Sequence, residues 1–118
     1  MFQIKRIYEP ADSDDGARVL VDRLWPRGVS KQKAHLDLWM KEIAPSDSLR
    51  KWFAHDPARW TEFVSRYRQE FRKNRALAGE LKRIEKARGK VTLLYSAHDE
   101  QHNQAVALLQ FLKGSGSD

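Results

Sequence analysis

The feature that most constrains this chain is an apolar run that ends in a charged turn, Arg18 to Gly28 (RVLVDRLWPRG). Val19 and Val21 fall on one face of a two-residue repeat and Leu20 on the other, a pattern typical of a strand covered on both faces. The charges of Asp22-Arg23 interrupt its end, where ionised groups need partners or water. A Trp-Pro dipeptide and a glycine then favour a turn. The run therefore predicts a buried strand that leads charged side chains into a rigid turn.

Strands and helices alternate along the chain in a way that predicts an α/β fold. The charged run gives a strand over about residues 17–24, residues 2–8 nearly alternate apolar and polar, and residues 91–95 are apolar throughout. Helical patterns lie between the last two strands, so we expect a small, mostly parallel sheet covered by helices. Residues 1–113 are predicted to form a single domain, and residues 114–118 a flexible tail.

Several helix boundaries are marked in the sequence. Ser46 and Asp56-Pro57 are typical helix starts, and Gly89 is a typical helix end. Asp99 is a plausible cap for the last helix. Residues 29–45 fit both the two-residue repeat of a strand and the spacing of a helix, and we favour a short helix followed by an extended piece. The most regular helical stripe is aromatic and predicts core packing: Trp60, Phe63, Val64, Tyr67 and Phe71.

The predicted topology brings two polar segments together. The helices between the last two strands are long enough for a right-handed crossover that joins two parallel strands. If the strands are adjacent, the charged turn lies beside the segment that follows residue 95, at an edge where open α/β sheets bind ligands. The expected ligand-binding residues are Asp22, Arg23, Arg27, His102 and Asn103.

The charged turn has two interpretations that the sequence leaves open. Arg23 and Arg27 could grip a carboxylate or phosphate, while Asp22 orients them or accepts a hydrogen bond from a ribose. Alternatively, Asp22 and an arginine form an internal ion pair that fixes the turn. The first interpretation predicts a domain that binds an anionic small molecule, nucleotide-like or phosphate-bearing.

A second polar cluster follows the last strand. Asp99 and His102 could act as a general acid and base in a hydrolase or transferase, or could cap the helix. His98 and His102 with a carboxylate could hold a divalent metal, but capping or a surface role is the favoured interpretation. The aspartates of residues 12–15 lack the spacing of a calcium loop, so no metal site is predicted. Ser96 has no nucleophile elbow around it.

Charge is distributed unevenly in this chain, whose net charge is +6. Residues 57–90 carry 11 Lys and Arg against 4 Asp and Glu, whereas residues 1–56 carry 10 against 9. The basic helices could bind nucleic acid, although a solvated surface is the favoured interpretation. The chain has no cysteine, no apolar run of membrane-spanning length and no signal-peptide pattern. We expect a cytoplasmic protein without a membrane partner; neither a cofactor nor an oligomeric state is indicated.

Many short motifs of this chain resemble the YeaO-like branch of the domain-of-unknown-function 488 family. The resemblance covers nearly the whole chain up to the tail and implies a small α/β domain of bacteria or archaea, without an assigned reaction. The matching motifs are Arg18 to Gly28, Ala44-Pro45-Ser46, Leu49 to Phe53, His55-Asp56-Pro57, Trp60 to Phe63, Val91 to Ala97, Asp99-Glu100, His102-Asn103 and Ala105.

The resemblance also bears on thiol chemistry. Other branches of the family carry a cysteine just after the last strand and a Cys-His-Arg run at the start of the last helix. The corresponding positions here are Tyr95 and His102-Asn103-Gln104. The resemblance therefore implies that any site in this chain works without a thiolate.

Overall fold

The structure, a computed structural model, describes residues 1–114 and contains a four-stranded, all-parallel sheet. The α/β prediction is confirmed. The strands lie in the order β1-β4-β2-β3, and in the register of the central pair Val19 lies opposite Leu93. The strand bounds are β1 (Phe2–Arg6), β2 (Ala17–Leu20), β3 (Leu38–Trp39) and β4 (Val91–Tyr95).

Five α-helices accompany the sheet in this part of the chain, and short 3-10 turns occupy Ser13–Asp15, Lys41–Ile43 and Pro57–Arg59. Gly114 ends the last helix, so the remainder of the predicted tail, residues 115–118, lies outside the described residues. No helix within residues 1–114 is long and apolar enough to cross a bilayer. The helix bounds are α1 (Lys31–Ala34), α2 (Asp47–Phe53), α3 (Trp60–Lys73), α4 (Arg75–Arg88) and α5 (Gln104–Gly114).

Three of the predicted helix boundaries are confirmed by their capping contacts. The Ser46 hydroxyl accepts a hydrogen bond from the backbone N–H of Leu49 (3.2 Å) at the start of α2. The Asp56 side chain caps the turn that Pro57 opens, and Gly89 ends α4 in the left-handed conformation, with φ 81°.

The predicted cap of the last helix was wrong by one turn. The side-chain oxygen of Asn103 accepts from the backbone N–H of Val106 (3.0 Å), so Asn103 caps α5. Asp99 instead accepts from the backbone N–H groups of Gln101 (2.9 Å) and His102 (3.0 Å), which makes a separate tight turn before the helix.

Residues 29–45 form a short helix, α1, followed by an extended piece, β3, as predicted. The strand β2 is shorter than the predicted span of 17–24. Its hydrogen bonding to β4 continues for one residue, from the N–H of Val21 to the carbonyl of Leu94 (3.0 Å). The next carbonyl along the chain, that of Asp22, accepts instead from the indole N–H of Trp39 (2.7 Å) and is not available to a neighbouring strand.

Both faces of the sheet are covered, as the charged run predicted. Val19 and Val21 belong to the larger hydrophobic cluster, and Leu20 belongs to a smaller one on the other face. The aromatic stripe of α3 lies in the larger cluster. There Phe63 stacks on Phe53 at a ring-centroid distance of 4.2 Å. Burial on both faces fixes the end of β2, and therefore the position of the turn that follows it.

Candidate functional site

A cleft of about 320 Å³ opens where β2 and β4 end. Its lining comes from the turn after β2, the segment before α2, the end of α2 and the residue after it, one residue of α3, the residues after β4 and the start of α5. The predicted juxtaposition of the charged turn with the segment after residue 95 is therefore present. This is the edge at which parallel α/β sheets usually bind their ligands.

Asp22 is a buried carboxylate in the lining of the cleft, with 8% of its surface exposed. Its Oδ2 accepts from the backbone N–H of Ser96 (3.0 Å) and from the Ser96 hydroxyl (2.6 Å), and its Oδ1 accepts from the side-chain amide of Gln104. Burial raises the pKa of Asp22, and the hydrogen bonds from Ser96 and Gln104 offset part of that rise. Asp22 thus links the ends of β2 and β4 to the first residue of α5.

Arg23 is half-buried and held in place by two backbone carbonyls. Its Nε donates to the carbonyl of Pro45 (2.9 Å) and its Nη2 to that of Ala44 (3.0 Å). A guanidinium has five N–H donors, so three remain without a partner among residues 1–114. The internal Asp–Arg pair was one of two interpretations of the turn. It was wrong, because Asp22 is hydrogen-bonded to Ser96 and Gln104 and forms no ion pair with either arginine in the described structure.

Two further arginines line the cleft from more exposed positions. Arg27 carries no side-chain partner in the described part of the chain, although the Tyr8 hydroxyl donates to its backbone carbonyl (3.0 Å). Arg50, from α2, makes one long contact to Asp47 (3.4 Å). Three guanidinium groups therefore share the cleft with one carboxylate.

The remaining walls of the cleft are largely apolar. The indole N–H of Trp25 donates to the carbonyl of Val29 (2.7 Å), which fixes the turn that follows β2. Fixed walls of this kind shape a ligand site before the ligand arrives. The apolar lining residues are Leu24, Trp25, Pro26, Ala44, Pro45, Phe53, Phe63 and Ala97.

His55 is a lining residue that is absent from the ligand-binding residues predicted from the sequence. Both Ala54 and His55 have positive φ, at 49° and 56°, so α2 ends in an abrupt turn. That turn places His55 at the cleft, with its ring 6.4 Å from that of Phe53. Two consecutive left-handed residues other than glycine are uncommon and are found at functional sites. The other polar residues missed were Arg50, Ser96 and Gln104.

Four of the five predicted ligand-binding residues line the cleft, and His102 does not. The Nδ1 of His102 lies 2.9 Å from Oδ2 of Asp99, and its ring meets Trp60 edge-on at a centroid distance of 5.3 Å. Asn103 lines the cleft, but its amide is occupied by the Asp99 carbonyl (2.9 Å) and by the α5 cap. The free polar groups of the cleft are therefore mainly the arginines.

The Asp99–His102 pair forms a small cluster of its own. Hydrogen bonds from the backbone of Gln101 and from the His102 side chain lower the pKa of the Asp99 carboxyl. Within residues 1–114 no three carboxylate or imidazole side chains come together as a metal site would require. His98 is exposed.

A parallel α/β domain with an arginine-lined cleft at its strand ends is the class that this fold and geometry define. Residues 1–116 match the model of a family described as the inactive DUF488-N3 subclade. The chain is 42% identical over 111 residues to the uncharacterised protein YeaO of Escherichia coli, covering 94% of this chain and 96% of that one. It is also 42% identical over 112 residues to an uncharacterised protein of Mycobacterium tuberculosis, covering 95% and 93%.

The chain therefore belongs to the domain-of-unknown-function 488 family, in its YeaO-like branch. No solved structure matches it significantly.

Proposed function

We propose that the cleft binds an anionic small molecule, nucleotide-like or phosphate-bearing. The observation that carries this proposal is Arg23, whose guanidinium is fixed by two carbonyls yet keeps three N–H donors without a protein partner in residues 1–114. A fixed guanidinium loses little freedom when it binds an anion, and its planar fork matches phosphate and carboxylate oxygens.

The surroundings of Arg23 support the same function. Arg27 and Arg50 line the same cleft and outnumber its single carboxylate, Asp22, among the described residues. The volume of about 320 Å³ lies at the lower end of the range for small-molecule sites, roughly 300 to 1,000 Å³. The ligand that fits these features is small, negatively charged and partly apolar.

The alternative that Asp99 and His102 catalyse hydrolysis or group transfer has weaker support. Their side chains bond to each other outside the cleft lining, and Asp99 is already engaged in a backbone turn. The matched family is described as an inactive subclade, which agrees better with binding than with turnover.

The alternative of nucleic-acid binding through the basic helices is not favoured either. Arg66 of α3 lies over Trp52 of α2, whereas Arg68 of α3 lies over Phe111 of α5. These two arginines of α3 therefore lie towards different sides of the molecule. A surface that binds the phosphate backbone of a nucleic acid has its arginines on one side.

Titration of the ¹⁵N-labelled protein with inorganic phosphate and with adenosine monophosphate, followed by NMR, tests the proposal. We expect shifts at the cleft residues, and at least about tenfold weaker binding in Arg23→Gln and in Arg27→Gln, since a charge-assisted hydrogen bond contributes roughly 1.5 to 3 kcal/mol. Arg83→Gln makes the same charge change at an exposed position of α4 outside the cleft and serves as the control. Equal binding by all four proteins, or no binding at about 10 mM, would contradict the proposal.

A further inference from the structure

Building on the proposed anion site, we infer that its ligand is a phosphate monoester that also carries a hydroxyl group. The phosphate contacts Arg23 and Arg27, and the hydroxyl donates to Asp22. Phosphorylated polyols, pentose phosphates and nucleoside monophosphates share this chemistry.

The first step of the argument is the acceptor capacity of Asp22. A carboxylate has two lone-pair sites on each oxygen. Oδ2 of Asp22 accepts two hydrogen bonds, both from Ser96, whereas Oδ1 accepts one, from Gln104. One acceptor site on Oδ1 remains, and the residue lines the cleft. A hydroxyl group of a ligand is a suitable donor for that site.

The second step is charge repulsion. A ligand that offers only negatively charged oxygens would lie beside a poorly hydrated carboxylate, and like charges within a few ångströms repel strongly in such surroundings. A ligand that turns a hydroxyl towards Asp22 and its anionic group towards the arginines satisfies both. The Asp22 carboxylate therefore disfavours anions that have no hydroxyl group to donate to it.

The third step is the charge balance of the cleft. The guanidinium groups of Arg23, Arg27 and Arg50 carry 3 positive charges, and ionised Asp22 carries 1 negative charge, which leaves 3 − 1 = 2 positive charges. A phosphate monoester carries about −1.5 to −2 at pH 7 and matches that excess better than a single carboxylate does.

The apolar walls account for the rest of the ligand. Trp25 and Pro26 belong to the turn that carries Arg27, and Phe53, at the end of α2, belongs to the same lining. The carbon skeleton of a sugar or a polyol presents CH groups that pack on such surfaces while its hydroxyls reach polar groups.

The experiment compares two phosphate monoesters with the same carbon count, propyl phosphate and glycerol 3-phosphate, by calorimetric or NMR titration of the wild-type chain. Ribose 5-phosphate extends the series. We expect both hydroxyl-bearing probes to bind at least about tenfold more tightly than propyl phosphate, which corresponds to about 1.4 kcal/mol. Equal binding of the three probes would overturn the inference and leave the proposed anion site intact. No binding of any probe would overturn both.

A variant assigns the hydroxyl preference to Asp22. In Asp22→Asn we expect glycerol 3-phosphate to lose its advantage, while propyl phosphate binds as tightly as before or more tightly, because the repelling charge is gone. An unchanged preference in a folded variant would contradict the role of Asp22. If the variant fails to fold, the comparison of probes on the wild-type chain still decides the inference.

Discussion

Two buried aspartates show how the partners of a side chain decide its role. Asp22 is surrounded by neutral donors, and burial raises its pKa. Burial acts in the same direction on Asp15, but hydrogen bonds from the Asp12 backbone and from the cations Lys5 and Arg18 outweigh it and lower the pKa of that carboxyl. The charge of Asp15 is therefore balanced by cations within the fold, whereas Asp22 has only neutral hydrogen-bond donors among residues 1–114.

The Asp15 carboxylate makes a stability prediction at the scale of one residue. Arg18, 4% exposed, donates to Asp15 at 2.5 Å, and Lys5 contacts the same carboxylate at 3.1 Å. In Asp15→Asn, two largely buried cations lose their counterion, so we expect the free energy of unfolding at neutral pH to fall by about 3 kcal/mol. Urea denaturation measures this difference. Asp14→Asn, at an exposed neighbouring position, is the matched control, and a similar loss there would refute the assignment.

The same substitution has a predicted pH dependence. The pKa of Asp15 is lower in the folded chain than its ordinary value of 3.8, so the ionised form stabilises the fold. That stabilisation is complete well above pH 3.8 and disappears as the pH falls through the lowered folded-state pKa. The gap in unfolding free energy between the wild type and Asp15→Asn should therefore be constant near neutral pH and narrow below about pH 4. A gap that widens on acidification would contradict the direction of the pKa shift.

At the scale of elements, the features that could be predicted from the sequence are those that depend on interactions between neighbouring residues. The caps Ser46 and Asp56 and the helix end at Gly89 follow from side-chain hydrogen bonding and backbone conformation, which involve neighbouring residues. The parallel arrangement of β2 and β4 agrees with the long helical connection between two strands that are apolar on both faces, whereas their adjacency was only a condition of the predicted cleft, which the structure meets. These rules together located the cleft.

Elements whose identity depends on distant contacts were not predictable in the same way. The extended piece after α1 was predicted, but its pairing with β2 was not, because the two residues of β3, Leu38 and Trp39, are too few to indicate a partner strand. Likewise the sequence marks α2 as a helix but does not indicate which elements it packs against. Arg50 and His55 therefore could not be assigned to the cleft, and His102 was wrongly placed in it.

The start of β2 provides a prediction at this scale. Gly16 has φ 64° and ψ −135°, and a Cβ there would collide with the carbonyl oxygen of Lys90, which accepts from the N–H of Ala17 (2.9 Å). In Gly16→Ala the backbone has to move and the first contact between β2 and the entry to β4 is disrupted. We expect a loss of about 3 kcal/mol in unfolding free energy.

Gly89 provides the matched comparison for that substitution. It also has positive φ, but a Cβ would meet open space. Gly89→Ala therefore carries the left-handed conformational cost alone, about 1 to 2 kcal/mol. Thermal or urea unfolding should rank Gly16→Ala below Gly89→Ala in stability, and the reverse order would show that the close approach to Lys90 is not limiting.

At the scale of the whole molecule, the question is where the net charge of +6 is exposed. α3 contacts both α2 and α5, and its arginines are divided between those two sides. From α4, Arg88 approaches Asp37, which precedes β3 (3.5 Å). If the remaining basic side chains are divided in the same way, we expect the charge excess to promote solubility but to neutralise few phosphates of any one nucleic-acid duplex.

This distribution predicts that a nucleic-acid duplex binds weakly and that its affinity depends only slightly on the salt concentration. For a fluorescent duplex of about 20 base pairs, titrated by anisotropy between about 50 and 200 mM salt, we expect a slope of log K against log salt no steeper than about −3, since each neutralised phosphate contributes about −0.9. Arg66→Gln and Arg68→Gln should change the affinity slightly and to similar extents, because they face different neighbours. If the slope is near −6, and one of these substitutions reduces its magnitude by about one, α3 has a basic face that binds the duplex.

Binding of a phosphate ester in the cleft and binding of a duplex by the basic helices can be separated by one substitution. Arg23→Gln should weaken phosphate-ester binding in the cleft while leaving the salt slope for the duplex unchanged.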